Sequence, residues 1–326
     1  VSTEKYIIGI DIGGTTIKAG ITDLEGKILS EKKVITSKAG AEHVVESIKT
    51  VISELMFDVE ASRDDVMGIG VGVPGPTNTD TGIVFSCANI PGFEQYPLQK
   101  RLEEETKMTV RIGNDVNCGT MGEAWLGSGI GYKNILGIFL GTGIGGGIII
   151  DGKLVSGANG AAAEVGHMKI KSSGELYGKL CGCGQYGCWE AYCSSVALER
   201  EARMRMEVNN STMLWDVCGG DITKVTAKDI FECAKQGDKF ALLLVDYELN
   251  YLAKGIANIA NILNPEIIII GGGMSLAGDI LFDGLRDRMQ KYTMAAIYEN
   301  LKIIPSKLGN ESGIVGACAL LMMHNV

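Results

Sequence analysis

Apolar residues fall along this chain in short blocks, each stopped by glycine, and the blocks recur in a fixed order. Ile7-Ile8-Gly9-Ile10 runs into Asp11-Ile12-Gly13-Gly14-Thr15-Thr16, then a second block from Ile17 to Asp23, then Gly26-Lys27. Far downstream, Ile135-Leu136-Gly137-Ile138-Phe139-Leu140 runs into Gly141-Thr142-Gly143, then Gly147 to Asp151, then Gly152-Lys153. Each stretch reads as strand, Gly/Thr loop, strand, and a turn into a third strand, because glycine supplies the positive φ that tight hairpins require. A further buried strand follows in both halves, Val66 to Val73 before Gly75, and Ile267 to Ile270 before Gly271-Gly272-Gly273. Helical spacing appears between them. Over His43 to Met56 it gathers Val44, Ile48, Val51, Ile52 and Leu55 on one face. Gly278 to Met289 and Gly313 to Met323 also read as helices, the latter with Ser312 as N-cap.

The repeated order predicts an α/β protein of two similar lobes, each a β-β-β-α-β-α-β-α unit. Strand-end loops of both lobes should face an interlobe cleft, where open α/β sheets bind ligands. The boundary is expected near Asn117 to Met121. That gives a smaller lobe over 1–117, joined by a returning C-terminal helix over 305–326, and a larger lobe over 118–304. Chance likeness of Gly/Ile-rich strands is the alternative, and the matched order of four features speaks against it.

Composition narrows the partners. A chain of 326 residues suits two cores. A net charge of −9 with no block of Lys/Arg argues against nucleic acid. No apolar run approaches the roughly 20 residues of a membrane span. The chain enters a strand directly after Val1-Ser2-Thr3-Glu4-Lys5, so no signal peptide and a cytoplasmic location are expected. Three of the nine cysteines crowd between Cys181 and Cys188, which without export reads as metal binding rather than disulfides.

Four groups of residues carry candidate chemistry. Asp11-Ile12-Gly13-Gly14-Thr15-Thr16 closes a strand, and glycines there let backbone N–H groups and Thr hydroxyls approach phosphate oxygens. Asp11 is placed to hold Mg²⁺, and Lys18 to reach the phosphates. Gly141-Thr142-Gly143 opens the matching loop. Its G-x-G-x-x-G spacing is followed by Ile148-Ile149-Ile150 rather than a helix, so it fails as a dinucleotide fingerprint. A bare hairpin turn is the alternative for either loop alone. Next, Gly113-Asn114-Asp115-Val116-Asn117 ends an apolar run. A carboxylate at Asp115 suits the general base that takes a proton from a sugar hydroxyl attacking a γ-phosphate, with Asn114 and Asn117 positioning the sugar. An ordinary Asn/Asp turn is equally consistent with this stretch. Third, Cys181, Cys183 and Cys188 with His167 make a closed tetrahedral zinc set, hence structural. Fourth, Glu164 and Glu190 flank that set and suit sugar hydroxyls, the alternative being solvated surface carboxylates.

Together, Asp11 to Thr15, Gly113 to Asn117, Gly141 to Gly147, Glu164 to His167 and Cys181 to Glu190 resemble the ROK family of bacterial sugar kinases and repressors, over Tyr6 to Met323. The resemblance implies an actin-like ATPase fold of hexokinase type, binding ATP and Mg²⁺ with one structural Zn²⁺. It implies Asp115 as catalytic base, and Asn89, Asn114, Glu164, His167 and Glu190 as sugar contacts. It places Gly271 to Ser275, including Gly272 and Gly273, near the adenosine, and suggests a homodimer or homotetramer. One departure stands out: Ala163 precedes Glu164 where many members have Gly. The implied activity is phosphorylation of glucose at its 6-hydroxyl. N-acetylmannosamine or fructose as substrate is the nearest alternative. A non-catalytic sugar sensor is the next, and only ten residues precede Asp11, too few for the DNA-binding domain of the family's repressors.

Overall fold

The computed structural model describes residues 5–87, 90–171 and 178–323. Its first half opens with three antiparallel strands, β1 (Tyr6–Ile12), β2 (Thr16–Asp23) and β3 (Ile28–Ile35). Helix α1 (Ala41–Asp58) leads to β4 (Val66–Val73), parallel to β1. The short pair β5 (Thr77–Asn78) and β6 (Ile83–Val84) and helix α2 (Leu98–Thr106) precede β7 (Val110–Asn114), parallel to β4, and helix α3 (Asp115–Leu126). The sheet order is β3-β2-β1-β4-β7.

The second half repeats this order. Strands β8 (Ile135–Leu140), β9 (Ile144–Ile150) and β10 (Lys153–Leu154) are followed by a helical stretch. That stretch holds α4 (Glu190–Cys193), α5 (Ser195–Met206), α6 (Leu214–Val217), α7 (Ala227–Lys235) and α8 (Lys239–Leu263). Strand β11 (Ile267–Gly271), helices α9 (Asp279–Tyr292) and α10 (Ala295–Tyr298), strand β12 (Lys302–Pro305) and helix α11 (Ser312–Met322) complete it. The second sheet runs β10-β9-β8-β11-β12, the topology of the first. The duplication expected from the sequence is present, although the third strand is eight residues in one copy and two in the other.

The chain forms two compact units, one of residues 1–137, 147–163 and 307–326, the other of 138–146 and 164–306. The sequence placed the division at 117/118, but α3 runs unbroken through that point, so its residues stay with the first unit. The C-terminal helix does return to the first unit.

In the first unit, α1 buries Val44, Ile48, Val51, Ile52 and Leu55, the face read from the spacing, and Val45 beside them. Full burial of each such side chain contributes roughly 1.5–3 kcal/mol before ordering costs. Helix α11 lies so close to β1 and β4 that a Cβ at Gly9 would stand 2.2 Å from the Ile314 carbonyl oxygen, and one at Gly70 1.8 Å from that of Ala317. Glycine in these strands therefore lets the helix touch the sheet's backbone. Ser312 is the first residue of α11 and not its cap: its hydroxyl donates to the Gly309 carbonyl at 2.8 Å, and Glu311 holds the cap position. Edge strand β3 alternates half-buried and exposed positions, with Glu31 and Lys33 among the exposed ones, which discourages pairing with another chain. No helix among the described residues is long and apolar enough to cross a membrane.

Candidate active site

The first unit gathers two groups of the expected residues. Asp11 lies one residue before the end of β1 and pairs in register with Lys18 on β2. Burial pushes its carboxyl up from the ordinary Asp value, against the pull of Lys18. The carboxylate abuts the start of α11, where a Cβ on Gly313 would come within 2.5 Å of Oδ2. Gly13 to Thr15 cross from β1 to β2 as a tight turn closed by the Gly13 N–H donating to the Thr16 carbonyl at 2.9 Å. Among the described residues, nothing accepts a hydrogen bond from the amides of Gly14 or Thr15.

Asn114 and Asp115 stand where β7 passes directly into α3. Asn114 is the helix N-cap: its Oδ1 accepts from the amides of Val116 (3.0 Å) and Asn117 (3.1 Å), and its Nδ2 donates to the Gly75 carbonyl at 3.2 Å. This network fixes Asp115 as the first residue of the helix, with its Oδ1 accepting from Val116 N at 2.9 Å. Asn114 thus has a structural task that the sequence did not reveal, leaving one N–H of Nδ2 for a ligand. Asn117 is buried, with its Oδ1 unpartnered among the described residues. Asn89 lies outside the described residues.

The second unit gathers the remaining groups. Glu164, followed by the short turn Val165–His167, precedes the cysteine loop. The protein wall desolvates the Glu164 carboxyl and pushes it up, His167 opposing and Glu190 adding to the rise. Donor atoms of His167, Cys181, Cys183 and Cys188 all lie within 4.8 Å of one another. Cys183 Sγ and Cys188 Sγ are 3.7 Å apart, as are Cys181 Sγ and His167 Nδ1. Lys169 donates to Cys188 Sγ at 3.0 Å.

Glu190 begins α4 immediately after the buried Trp189. Its Oε1 lies 3.0 Å from Cys181 Sγ and 3.7 Å from His167 Nδ1, while its Oε2 accepts from Ile144 N at 3.3 Å. The same carboxylate therefore touches the cysteine cluster and the second glycine loop. A Cβ on Gly143 would come within 2.5 Å of Glu190 Oε2, so this loop residue must be glycine for the contact to form. Gly141 N donates to Gly143 O at 3.0 Å, and the Gly141 carbonyl accepts from Ser195 N, at the start of α5, at 2.9 Å. Beside the loop is a cavity of about 330 Å³ lined by Leu140, Gly141, Phe231, Gly273, Met274 and Leu276. Gly272, at φ +82°, lies against the Leu140 backbone, where a Cβ would be 2.3 Å from the carbonyl oxygen.

The sequence model of the ROK family matches residues 7–324. The chain belongs to the ROK family. It is 37% identical over 318 residues to the glucokinase of Halalkalibacterium halodurans, covering 96% of this chain and 94% of that one. With the glucokinase of Thermotoga maritima it is 36% identical over 315 residues, covering 97% and 96%. The ROK family glucokinase of Streptomyces griseus, solved with glucose and AMPPNP, superposes with a TM-score of 0.82 at 34% identity, covering 97% and 98%. The fold is thus the actin-like, hexokinase-type fold of ROK glucokinases.

Two residues beside the ROK glycine loop escaped the sequence reading. Thr36 and Lys38, just past β3, bond the carbonyls of Gly13, Gly14 and Thr15. The cavity's apolar wall from Phe231, Met274 and Leu276 also carried no local signal, because it is assembled from separate segments.

Proposed function

We propose that this chain transfers the γ-phosphoryl group of ATP to the 6-hydroxyl of glucose. The observation that carries the reading is Asp115, held by an Asn114 cap at the first turn of α3, in a chain 36–37% identical to glucokinases over nearly its whole length. Asp115 accepts the proton of the attacking hydroxyl. Asn89, Asn114, Glu164, His167 and Glu190 hydrogen-bond the sugar. The amides of Gly14 and Thr15 receive phosphate oxygens, with Lys18 adding charge, and the Gly141-Thr142-Gly143 turn offers a second set of donors. The cavity beside Gly141, Gly272 and Gly273 takes the adenosine. The glucose and AMPPNP bound in the Streptomyces griseus relative support both ligands.

A carboxylate beside a phosphate loop fits Mg²⁺, which binds through one or two carboxylates and the nucleotide's own oxygens. Asp11 is that carboxylate, and the metal's part is to neutralise charge on the phosphates. The cysteine cluster fits Zn²⁺: tetrahedral ligands at about 2.0–2.3 Å from the metal lie roughly 3.5–3.8 Å apart, two of the observed spacings are 3.7 Å, and all four donor atoms lie within 4.8 Å of one another. His167, Cys181, Cys183 and Cys188 fill four positions, so the ion is structural and stiffens the segment bearing Glu164 and Glu190. The family likeness supports a homodimer or homotetramer, and the net charge of −9 without a block of Lys/Arg supports small-molecule partners over nucleic acid.

The test is ADP release with ATP, Mg²⁺ and glucose, mannose, fructose, N-acetylglucosamine or N-acetylmannosamine. Glucose should give the dominant kcat/KM. Preference for an N-acetylated or keto sugar would replace the substrate and keep the chemistry. No turnover with any sugar, from folded and zinc-loaded protein, would remove the kinase reading.

A further inference from the structure

We infer that Thr36 and Lys38 are positioning residues for ATP, acting as a clamp on the carbonyl side of the first glycine loop. The inference rests on the reading of that loop as the phosphate site. The clamp engages three successive carbonyls. The Thr36 hydroxyl donates to Gly13 O at 2.7 Å, Lys38 Nζ to Gly14 O at 2.5 Å, and the Thr36 amide to Thr15 O at 2.9 Å. Thr36 is itself buried, 1% exposed, so its hydroxyl has a fixed direction.

Peptide planarity turns these contacts into a statement about phosphate. In a trans peptide the carbonyl of one residue and the N–H of the next point in opposite directions. Holding Gly13 O and Gly14 O toward Thr36 and Lys38 therefore turns the N–H groups of Gly14 and Thr15 the other way. Those are the two amides without an acceptor among the described residues. A pair of preset, unpartnered donors is an anion cradle, and its orientation is set from behind. Without the clamp a loop containing Gly13-Gly14 has wide backbone freedom, and ATP would have to order it on binding. Lys38 acts here through the loop's carbonyl.

The expected signature is a split between substrates. Thr36→Val keeps the shape and deletes the donor. It should raise KM for ATP about tenfold, the effect of one hydrogen bond, and leave KM for glucose within about twofold. Thr36→Ser should restore most of the loss. Lys38→Met changes an exposed side chain and should raise KM for ATP severalfold with no change in thermal midpoint. A merely structural role would lower the midpoint and the active fraction without separating the two KM values, and Ser would not rescue it selectively. Equal changes in both KM values, or an unchanged KM for ATP in both variants, would overturn the clamp. Gly13→Ala separates the two readings, because its Cβ would meet Thr16 O at 2.7 Å and distort the loop directly. If Gly13→Ala raises KM for ATP and the clamp variants do not, only the clamp fails. If none of the three does, the phosphate-loop reading fails with it.

Discussion

The two copies of the hairpin close their turns over different spans and hold them by different means. In the first, Gly13 N bonds Thr16 O; in the second, Gly141 N bonds Gly143 O. The first loop is held from behind by a hydroxyl, an ammonium and an amide at the end of β3, all local to its own sheet. The second is held by the Glu190 carboxylate and the start of α5. Its own third strand, two residues long, cannot supply the equivalent of Thr36. The support was instead recruited from the inserted stretch that carries the cysteine cluster. One duplicated loop is thus self-contained, and the other is coupled through Glu190 to His167 and Cys181.

Perturbations should separate these two arrangements. The largest effect is expected outside both supports: Asp115→Ala should lower kcat by about 10²–10⁴-fold with an unchanged far-ultraviolet circular dichroism spectrum. Near-parental turnover would reassign the base. Next comes Cys183→Ser, which should reduce zinc content by metal analysis and lower the thermal midpoint, about 2–4 °C for each kcal/mol lost. Because Glu190 leans on this cluster, KM for glucose should rise as well, the converse of the Thr36→Val pattern. Full zinc content in this variant would dissolve the proposed metal centre.

A smaller effect concerns Glu248, buried on α8 with both oxygens unpartnered among the described residues. Burial raises its carboxyl well above the unfolded value, only partly offset by Lys179. A raised acid holds its proton in the folded state. Its stability contribution is therefore complete below about pH 4.5 and is lost as pH climbs toward the folded value. Glu248→Gln removes that loss, so the variant should match the parent near pH 4 and exceed its thermal midpoint at pH 8. A constant difference across pH would show that the carboxyl is not the cause. The smallest effect is expected at Ala163, where the backbone takes φ +65°, beside Glu164. An alanine in this region costs about 1–2 kcal/mol, and glycine gives back about 0.4–1 kcal/mol through the unfolded chain. Ala163→Gly should therefore change stability by about 0 to 1.6 kcal/mol in the stabilising direction. Destabilisation by urea titration would mean that the loop relies on the methyl group.

Much of this was legible because backbone periodicity carries it. The hairpins around Gly13-Gly14 and Gly141-Thr142-Gly143, the apolar face of α1 and the C-x-C spacing of the cysteines are local patterns with one physical reading each. Ala163 was visible only as an unusual residue, and its positive φ supplies the reason. Other features were hidden because they depend on distance rather than order. Asn114 read as a sugar contact or a turn, and its cap role needed Val116, Asn117 and Gly75 in place. Ser312 had a cap's chemistry, but the turn at Gly309 claimed its hydroxyl. The boundary near Asn117 ignored that α3 spans it. Thr36 and Lys38 act on carbonyls about twenty residues away, a relation created by the pairing of β2 with β3 and invisible in either segment alone.

The central claim is that this chain phosphorylates glucose at its 6-hydroxyl with ATP as donor. It is tested most directly by ³¹P NMR of the product formed from purified protein, ATP, Mg²⁺ and glucose. The expected result is stoichiometric ADP and glucose 6-phosphate, with at most about a hundredth as much product from the Asp115→Ala variant over the same early time. Phosphate on another hydroxyl, ADP with free inorganic phosphate, or no glucose phosphate at all would contradict it.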